Sequence, residues 1–98
     1  MSKYTIVSID NARVGLGGLP VQRGEFASAD AALDHAKALV DQALQDLGAA
    51  ESAHDLMARY MRFGSEVPMI YGEPRVDFHA FRYAREKANA MFATAAHD

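Results

Sequence analysis

The chain of 98 residues contains no cysteine, which excludes disulfide bonds, thiolate nucleophiles and thiolate metal sites. It also lacks any run of the ~20 apolar residues that a membrane-spanning helix requires. Its opening, MSKYTIVSID, has a single lysine and no long apolar stretch, so it does not form a signal-peptide pattern. These absences predict a cytoplasmic protein without a membrane partner.

The chain also has no large excess of positive or negative charge. The net charge is −3, and basic and acidic groups nearly balance in each half: four against six in residues 1–49, and six against seven in residues 50–98. Such a chain has no strong overall field that would attract nucleic acid. We therefore do not expect nucleic acid as a partner.

Large apolar side chains are fewer than the composition suggests. A length of 98 residues predicts one domain, residues 1–98, with a modest core. Of the 49 hydrophobic residues, 19 are alanine, which buries little area and mainly favours helix. A core this thin favours a homodimer in which two copies share apolar surface.

Two strands are predicted at the start of the chain. Tyr4–Ile9 reads YTIVSI, which is β-branched, aromatic and apolar on both faces, as is typical of a central or well-covered strand. Residues 14–20 hold three glycines and lead into a second extended segment, residues 21–27. This context favours a hairpin connection over a phosphate-binding loop, which would lie between a strand and a helix.

Two helices follow, each with start and stop signals. Ser28 is predicted to cap the first helix, and Gly48 to end it. Ser52, with Asp55 three residues later, predicts the start of the second helix, which Gly64 ends.

The last third of the chain predicts a strand and a helix. Val67–Tyr71 reads as a short strand. Because proline cannot donate a ladder hydrogen bond, this strand should lie at a sheet edge, or Pro68 should lie at its start. Asp77 is predicted to cap the final helix. The order β-β-α-α-β-α indicates an α+β fold with a small, largely antiparallel sheet of two or three strands and three helices on one face. The other sheet face must then be covered by a helix, a partner chain or a ligand.

Arginines and aromatic residues concentrate in residues 59–85, which hold five of seven arginines and six of nine aromatics. Arginine beside aromatic rings can bind phosphates, carboxylates or stacked bases. The same residues equally suit the solvated flanks of two helices, since Asp55 with Arg59 and Arg82 with Glu86 have i,i+4 spacing. Arg75 is the exception, because it follows a proline turn and has no helical partner nearby. The candidate binding residues are therefore Tyr71, Glu73, Arg75, Arg59, Arg62, Arg82 and Arg85.

Signals for catalysis or cofactors are weak. No two histidines have the i,i+3 or i,i+4 spacing of a local metal site, and no GxSxG motif is present. A carboxylate pair of Glu66 with Glu73 or Asp77 would suit a small acid/base enzyme, which is the third alternative. We expect no cofactor and no bound metal.

The first part of the chain resembles the small antitoxin domains of the HicB type. Those domains open with a strand, a glycine-containing hairpin and a helix, which Tyr4–Ile9, residues 15–20 and residues 28–37 follow here. The acidic-glycine turn of that family and the pattern of its second half are absent. The resemblance implies an antitoxin-like or nucleic-acid-associated regulatory module as the alternative. The leading prediction is a non-catalytic binding module, homodimeric, that recognises a protein or a small anionic ligand.

Overall fold

The computed structural model describes residues 3–10 and 20–95. Its elements follow the predicted order, and the α+β class is confirmed. They are β1 (Tyr4–Ile9), β2 (Val21–Phe26), α1 (Ala29–Asp46), α2 (Ala53–Phe63), β3 (Val67–Tyr71) and α3 (Ala80–Ala95).

The three strands form one antiparallel sheet in the order β2-β1-β3. The strand with two apolar faces, β1, is central, and β3, which contains Pro68, lies at an edge. Both positions agree with the sequence patterns of these strands. A bulge interrupts the β1–β2 pairing between Ile6 and Val7, opposite Gly24, whose φ of 132° favours glycine. The three glycines between the two strands lie outside the described residues. The antiparallel pairing of β1 with β2 is the one that a hairpin connection produces.

One face of the sheet, the inner face, packs on α1. Tyr4 and Ile6 of β1 are buried there against Ala32 and Ala36 of α1. Ile70 of β3 packs against the same cluster. Alanine on the facing side of the helix lets its backbone come close to the strands.

A second cluster of buried side chains joins the three helices. Leu44 of α1, Leu56 and Tyr60 of α2, and Ala84 and Ala88 of α3 meet in it. Six of the thirteen buried hydrophobic residues of the two clusters are alanines. The core is therefore thin, as the composition predicts.

Both predicted serine caps are present. The Ser28 hydroxyl accepts a bond of 3.1 Å from the Ala31 N–H, and the Ser52 hydroxyl accepts one of 3.1 Å from the Asp55 N–H. The Asp55 carboxylate in turn accepts a bond of 3.1 Å from the Glu51 N–H, one residue before the cap. Gly48 follows the end of α1 with a φ of 80°. This left-handed conformation is typical of a glycine that ends a helix, as the sequence predicts.

The prediction that Asp77 caps α3 is wrong. The helix begins at Ala80, and its first turn closes when the Tyr83 N–H donates to the His79 carbonyl at 3.0 Å. The Phe78 N–H donates to the Val76 carbonyl at 3.1 Å, which holds a tight turn before the helix can start. Asp77 binds a side chain, that of Arg82, and its carboxylate is 92% exposed.

Candidate binding surface

The arginines of residues 59–85 have separate contacts. Arg59 binds Asp55 at 3.3 Å, as its spacing predicts, and also donates a bond of 2.9 Å to the Ala49 carbonyl before α2. Arg62 lies over the ring of Phe63, 5.3 Å from its centroid. Both arginines therefore act locally, on α2 and on the turn that precedes it.

The two arginines of α3 face different grooves. Arg82 binds Asp77 at 3.2 Å, which replaces the predicted pair with Glu86. Arg85 lines a groove of about 340 Å³ between α2 and α3, beside Met57 and Met61. The structure thus distributes these arginines over several surfaces.

The turn from Tyr71 to Arg75 is attached to β1. The buried Tyr4 side chain donates a hydrogen bond of 2.9 Å to the Pro74 carbonyl. Gly72 lies against the same ring, where a Cβ atom would overlap the Tyr4 ring and come within 2.9 Å of the Lys3 carbonyl oxygen. The Glu73–Pro74 peptide bond is cis. Glu73 and Arg75 are exposed on this turn, so the backbone is fixed while the charges face solvent.

The face of the sheet opposite α1 carries a row of apolar side chains. Because side chains alternate along a strand, Thr5, Val7 and Ile9 point away from the inner face. Their partners on β3 are Tyr71, Met69 and Val67. We call these six residues the outer sheet face. Tyr71 is 55% exposed, whereas the other five are half-buried.

An apolar cavity adjoins the outer sheet face where β3 meets the start of α3. Its volume is about 420 Å³, within the ~300–1,000 Å³ range of ligand pockets. We call it the β3 cavity. It is lined by Ile9, Val67, Pro68, Met69, Phe78, His79, Ala80 and Phe81. Among the described residues that line it, His79 is the one with a titratable side chain, so the cavity suits an apolar group with one polar end.

A smaller, polar cavity of about 290 Å³ lies between α1 and α3. At this cavity the Lys37 ammonium lies 5.8 Å from the centroid of the Tyr83 ring. The Tyr83 hydroxyl donates a bond of 2.8 Å to Asp41, and burial, aided by this carboxylate, raises the pKa of Tyr83 to about 12. The cations Lys37 and Arg82 are offset by two carboxylates in the lining, so the cavity has no clear preference for anions. The carboxylates belong to Asp77 and Glu86.

Glu66, one of the carboxylates considered for acid/base chemistry, is bound to an arginine. Glu66 accepts two bonds from Arg23 of β2, at 2.6 Å and 3.3 Å. The Glu66 carbonyl also accepts a bond of 2.7 Å from Tyr60. These contacts attach the turn between α2 and β3 to the opposite edge strand of the sheet.

No known family, curated protein or solved structure matches this chain. The resemblance to HicB-type antitoxin domains therefore rests on the order of the first elements alone. Among the helices of residues 3–10 and 20–95, none is long and apolar enough to cross a membrane.

The sequence-based prediction included an uncovered sheet face but missed the cavity beside it. The alternation of Val7 and Ile9 with buried residues was a usable signal for that face. The cavity was not predictable from the sequence, because it depends on where α3 begins, and the predicted cap at Asp77 misplaced that start.

Proposed function

We propose that the protein is a cytoplasmic, non-catalytic binding module that works as a homodimer joined through its outer sheet face. The observation that carries this proposal is the pairing of Val7 with Met69 and of Ile9 with Val67 on the side away from α1. Among the described helices, α1 makes contacts with all three strands, and its cluster lies on the inner face. A second copy would cover the apolar row that α1 leaves open.

The distribution of large and small side chains supports this role. Buried alanines fill much of the core, while five large hydrophobic residues in the described part of the chain are substantially exposed. Tyr71 is the one that belongs to the outer sheet face; the others are Val21, Met61, Phe63 and Met91. Each Å² of apolar surface that a partner removes from water contributes about 25 cal/mol. Association therefore adds hydrophobic stabilisation to that of the thin core.

The faces of the sheet suit a partner better than its edges do. Pro68 has no backbone N–H, so β3 has one hydrogen-bond donor fewer with which to pair an added strand. At the other edge, the Lys3–Glu25 pair at 2.7 Å adds exposed charge. Lys3 holds the pKa of Glu25 below its usual value through its hydrogen bond and its charge. Charged and proline-containing edges discourage strand addition.

A polar margin beside the apolar row is typical of an interface. Glu25 pairs with Thr5 and Gln22 pairs with Val7 across β1 and β2, so both follow the outer face on its β2 side. The amide of Gln22 donates to the Glu25 carboxylate at 3.3 Å. Protein interfaces combine an apolar centre with a polar rim of this kind.

The contacts of the arginines and carboxylates do not favour the other candidate functions. A nucleic-acid-binding module needs its arginines on one exposed face, whereas Arg59 and Arg82 lie on different helices and are each bound to an acidic residue. An acid/base enzyme needs a free carboxylate in a pocket, and Glu66 is bound to Arg23. We therefore limit the proposal to binding.

Size-exclusion chromatography with light scattering over a dilution series tests the proposal. We expect twice the chain mass of 10.7 kDa at high concentration, with dissociation on dilution. Val7→Lys, in the middle of the outer sheet face, should give a folded monomer. Met61→Lys is the matched control, because Met61 is exposed on α2 and away from that face. A wild-type mass of one chain at every concentration would refute the homodimer.

A further inference from the structure

The arrangement of Tyr71 beside the β3 cavity points to the contact that holds this dimer. We infer that Tyr71 of each copy inserts into the β3 cavity of the other. The inference rests on the proposed homodimer and adds to it a specific anchor. Its starting observation is that a protruding aromatic side chain and an apolar cavity share one face of one strand.

A flat contact between two outer sheet faces would be small. Six residues of ~3.3 Å rise and three strands spaced ~4.8 Å apart give roughly 250–300 Å² in projection on each copy. Specific interfaces bury about 800 Å² per partner. An inserted aromatic side chain adds roughly 150–250 Å², together with the cavity walls that it covers. Only with such an anchor does the contact approach the lower end of the size that specific complexes need.

The positions of the two features permit a symmetric exchange. Met69 lines the cavity, and Tyr71 follows it by two residues on the same face, roughly 7 Å further along β3. A twofold axis in the interface plane, perpendicular to β3 and midway between the two features, superposes each Tyr71 on the cavity of the other copy. Such a contact is isologous, so the same patch serves both copies and the assembly closes as a dimer.

The chemistry of the cavity matches a phenol. Aliphatic and aromatic side chains surround the volume that the ring would occupy. Among the described lining residues, His79 has ring nitrogens that can form a hydrogen bond with the phenol hydroxyl. In the single chain, the Tyr71 hydroxyl is 3.7 Å from the sulfur of Met69, which is a weak acceptor. A buried tyrosine normally has a hydrogen-bond partner, and His79 of a second copy would provide one.

Photo-crosslinking from position 71 tests the contact while an aromatic ring stays in place. A chain with p-azidophenylalanine in place of Tyr71 is mixed with isotope-labelled wild-type chain and irradiated, and cross-links between the two chains are located by mass spectrometry. We expect them at residues that line the β3 cavity. The control chain carries the same group in place of Met61, since Met61 and Tyr71 have similar exposure, 53% and 55%. Cross-links to the cavity no more abundant than in this control overturn the inference, even where light scattering shows a dimer.

Affinity measurements separate the anchor from the dimer itself. Tyr71→Ala should weaken dimerisation about 30-fold or more, as expected for the loss of an aromatic hot spot. p-Cresol, a soluble mimic of the tyrosine side chain, should compete with wild-type dimerisation. A dimer that Tyr71→Ala leaves unchanged overturns the inference but not the homodimer. Binding of p-cresol without any effect on the dimer also overturns it, and would assign the cavity to a small apolar molecule.

Discussion

The hydroxyl of Tyr4 donates a hydrogen bond of 2.9 Å to the carbonyl of Pro74, which lies 70 residues further along the chain. Through this bond the first strand holds the turn that follows β3. Gly72 lies against the same ring. The turn that the sequence singles out as unusual is thus fixed by a residue at the other end of the chain.

Removing this hydroxyl should lower stability. Tyr4→Phe keeps the buried ring but loses the bond, and we expect the free energy of unfolding to fall by ~1 kcal/mol. Urea denaturation at low protein concentration measures the change. Tyr71→Phe is the matched control, because the Tyr71 hydroxyl is exposed and its hydrogen-bond acceptor among the described residues is the weakly accepting sulfur of Met69. A loss in Tyr71→Phe as large as that in Tyr4→Phe would contradict the importance of the Pro74 bond.

A side chain at Gly72 should be more damaging still. Gly72→Ala places a Cβ atom against a buried ring and a backbone carbonyl, neither of which can move freely. We expect a loss of ~1–3 kcal/mol, as is typical of overpacking. Gly48→Asn is the control, since no atom lies within 4 Å of a Cβ there and asparagine tolerates a positive φ. Equal losses in the two variants would mean that the Tyr4 ring adjusts to the added methyl group.

The other end of β3 is held in the same manner. Tyr60, buried in the helical cluster, donates a bond of 2.7 Å to the Glu66 carbonyl, and Gly64 lies against its ring. Burial and the nearby Glu66 carboxylate raise the pKa of Tyr60 above its usual value. Two tyrosines from different elements therefore fix the two turns that flank β3, which carries Met69 and half of the outer sheet face.

The raised pKa of Tyr83 predicts a loss of stability at alkaline pH. A folded-state pKa of about 12 exceeds the ordinary value of ~10, so the unfolded chain loses this proton first. The stability is present below pH ~10 and is lost as the pH rises towards ~12. Tyr83→Phe, which lacks the bond to Asp41, should be less stable at pH 8 but should lose less on going to pH 11. Parallel unfolding free energies for the two proteins across this range would contradict the prediction.

Signals within a few residues of each other predicted most of the fold. Ser28 and Ser52 cap their helices because the hydroxyl and the N–H that it binds are three residues apart. The start of α3 was misplaced because Asp77 has the cap residue type, and its carboxylate instead binds Arg82. Whether such a carboxylate binds a backbone N–H at a helix start or a nearby arginine depends on the folded structure.

Contacts between distant residues could not be predicted in this way. Arg23 and Glu66 are 43 residues apart, and Tyr83 and Asp41 are 42 apart. The sequence around each of these residues gives no indication of the distant residue that it contacts. The candidate site depends on such contacts, because the β3 cavity forms only where the start of α3 meets the end of β1.

Two arginines that look alike in the sequence should respond differently to removal. Arg23→Ala breaks the contact with Glu66, which is only 14% exposed, and should lower the free energy of unfolding by ~1 kcal/mol. Arg75→Ala should change it by less than ~0.5 kcal/mol, because Arg75 is exposed and makes none of the ion pairs between described residues. If Arg75 belongs to the binding patch with Tyr71, its removal should weaken dimerisation in light scattering while urea denaturation stays unchanged. A loss of stability in Arg75→Ala without a loss of association would assign Arg75 to the structure of the turn.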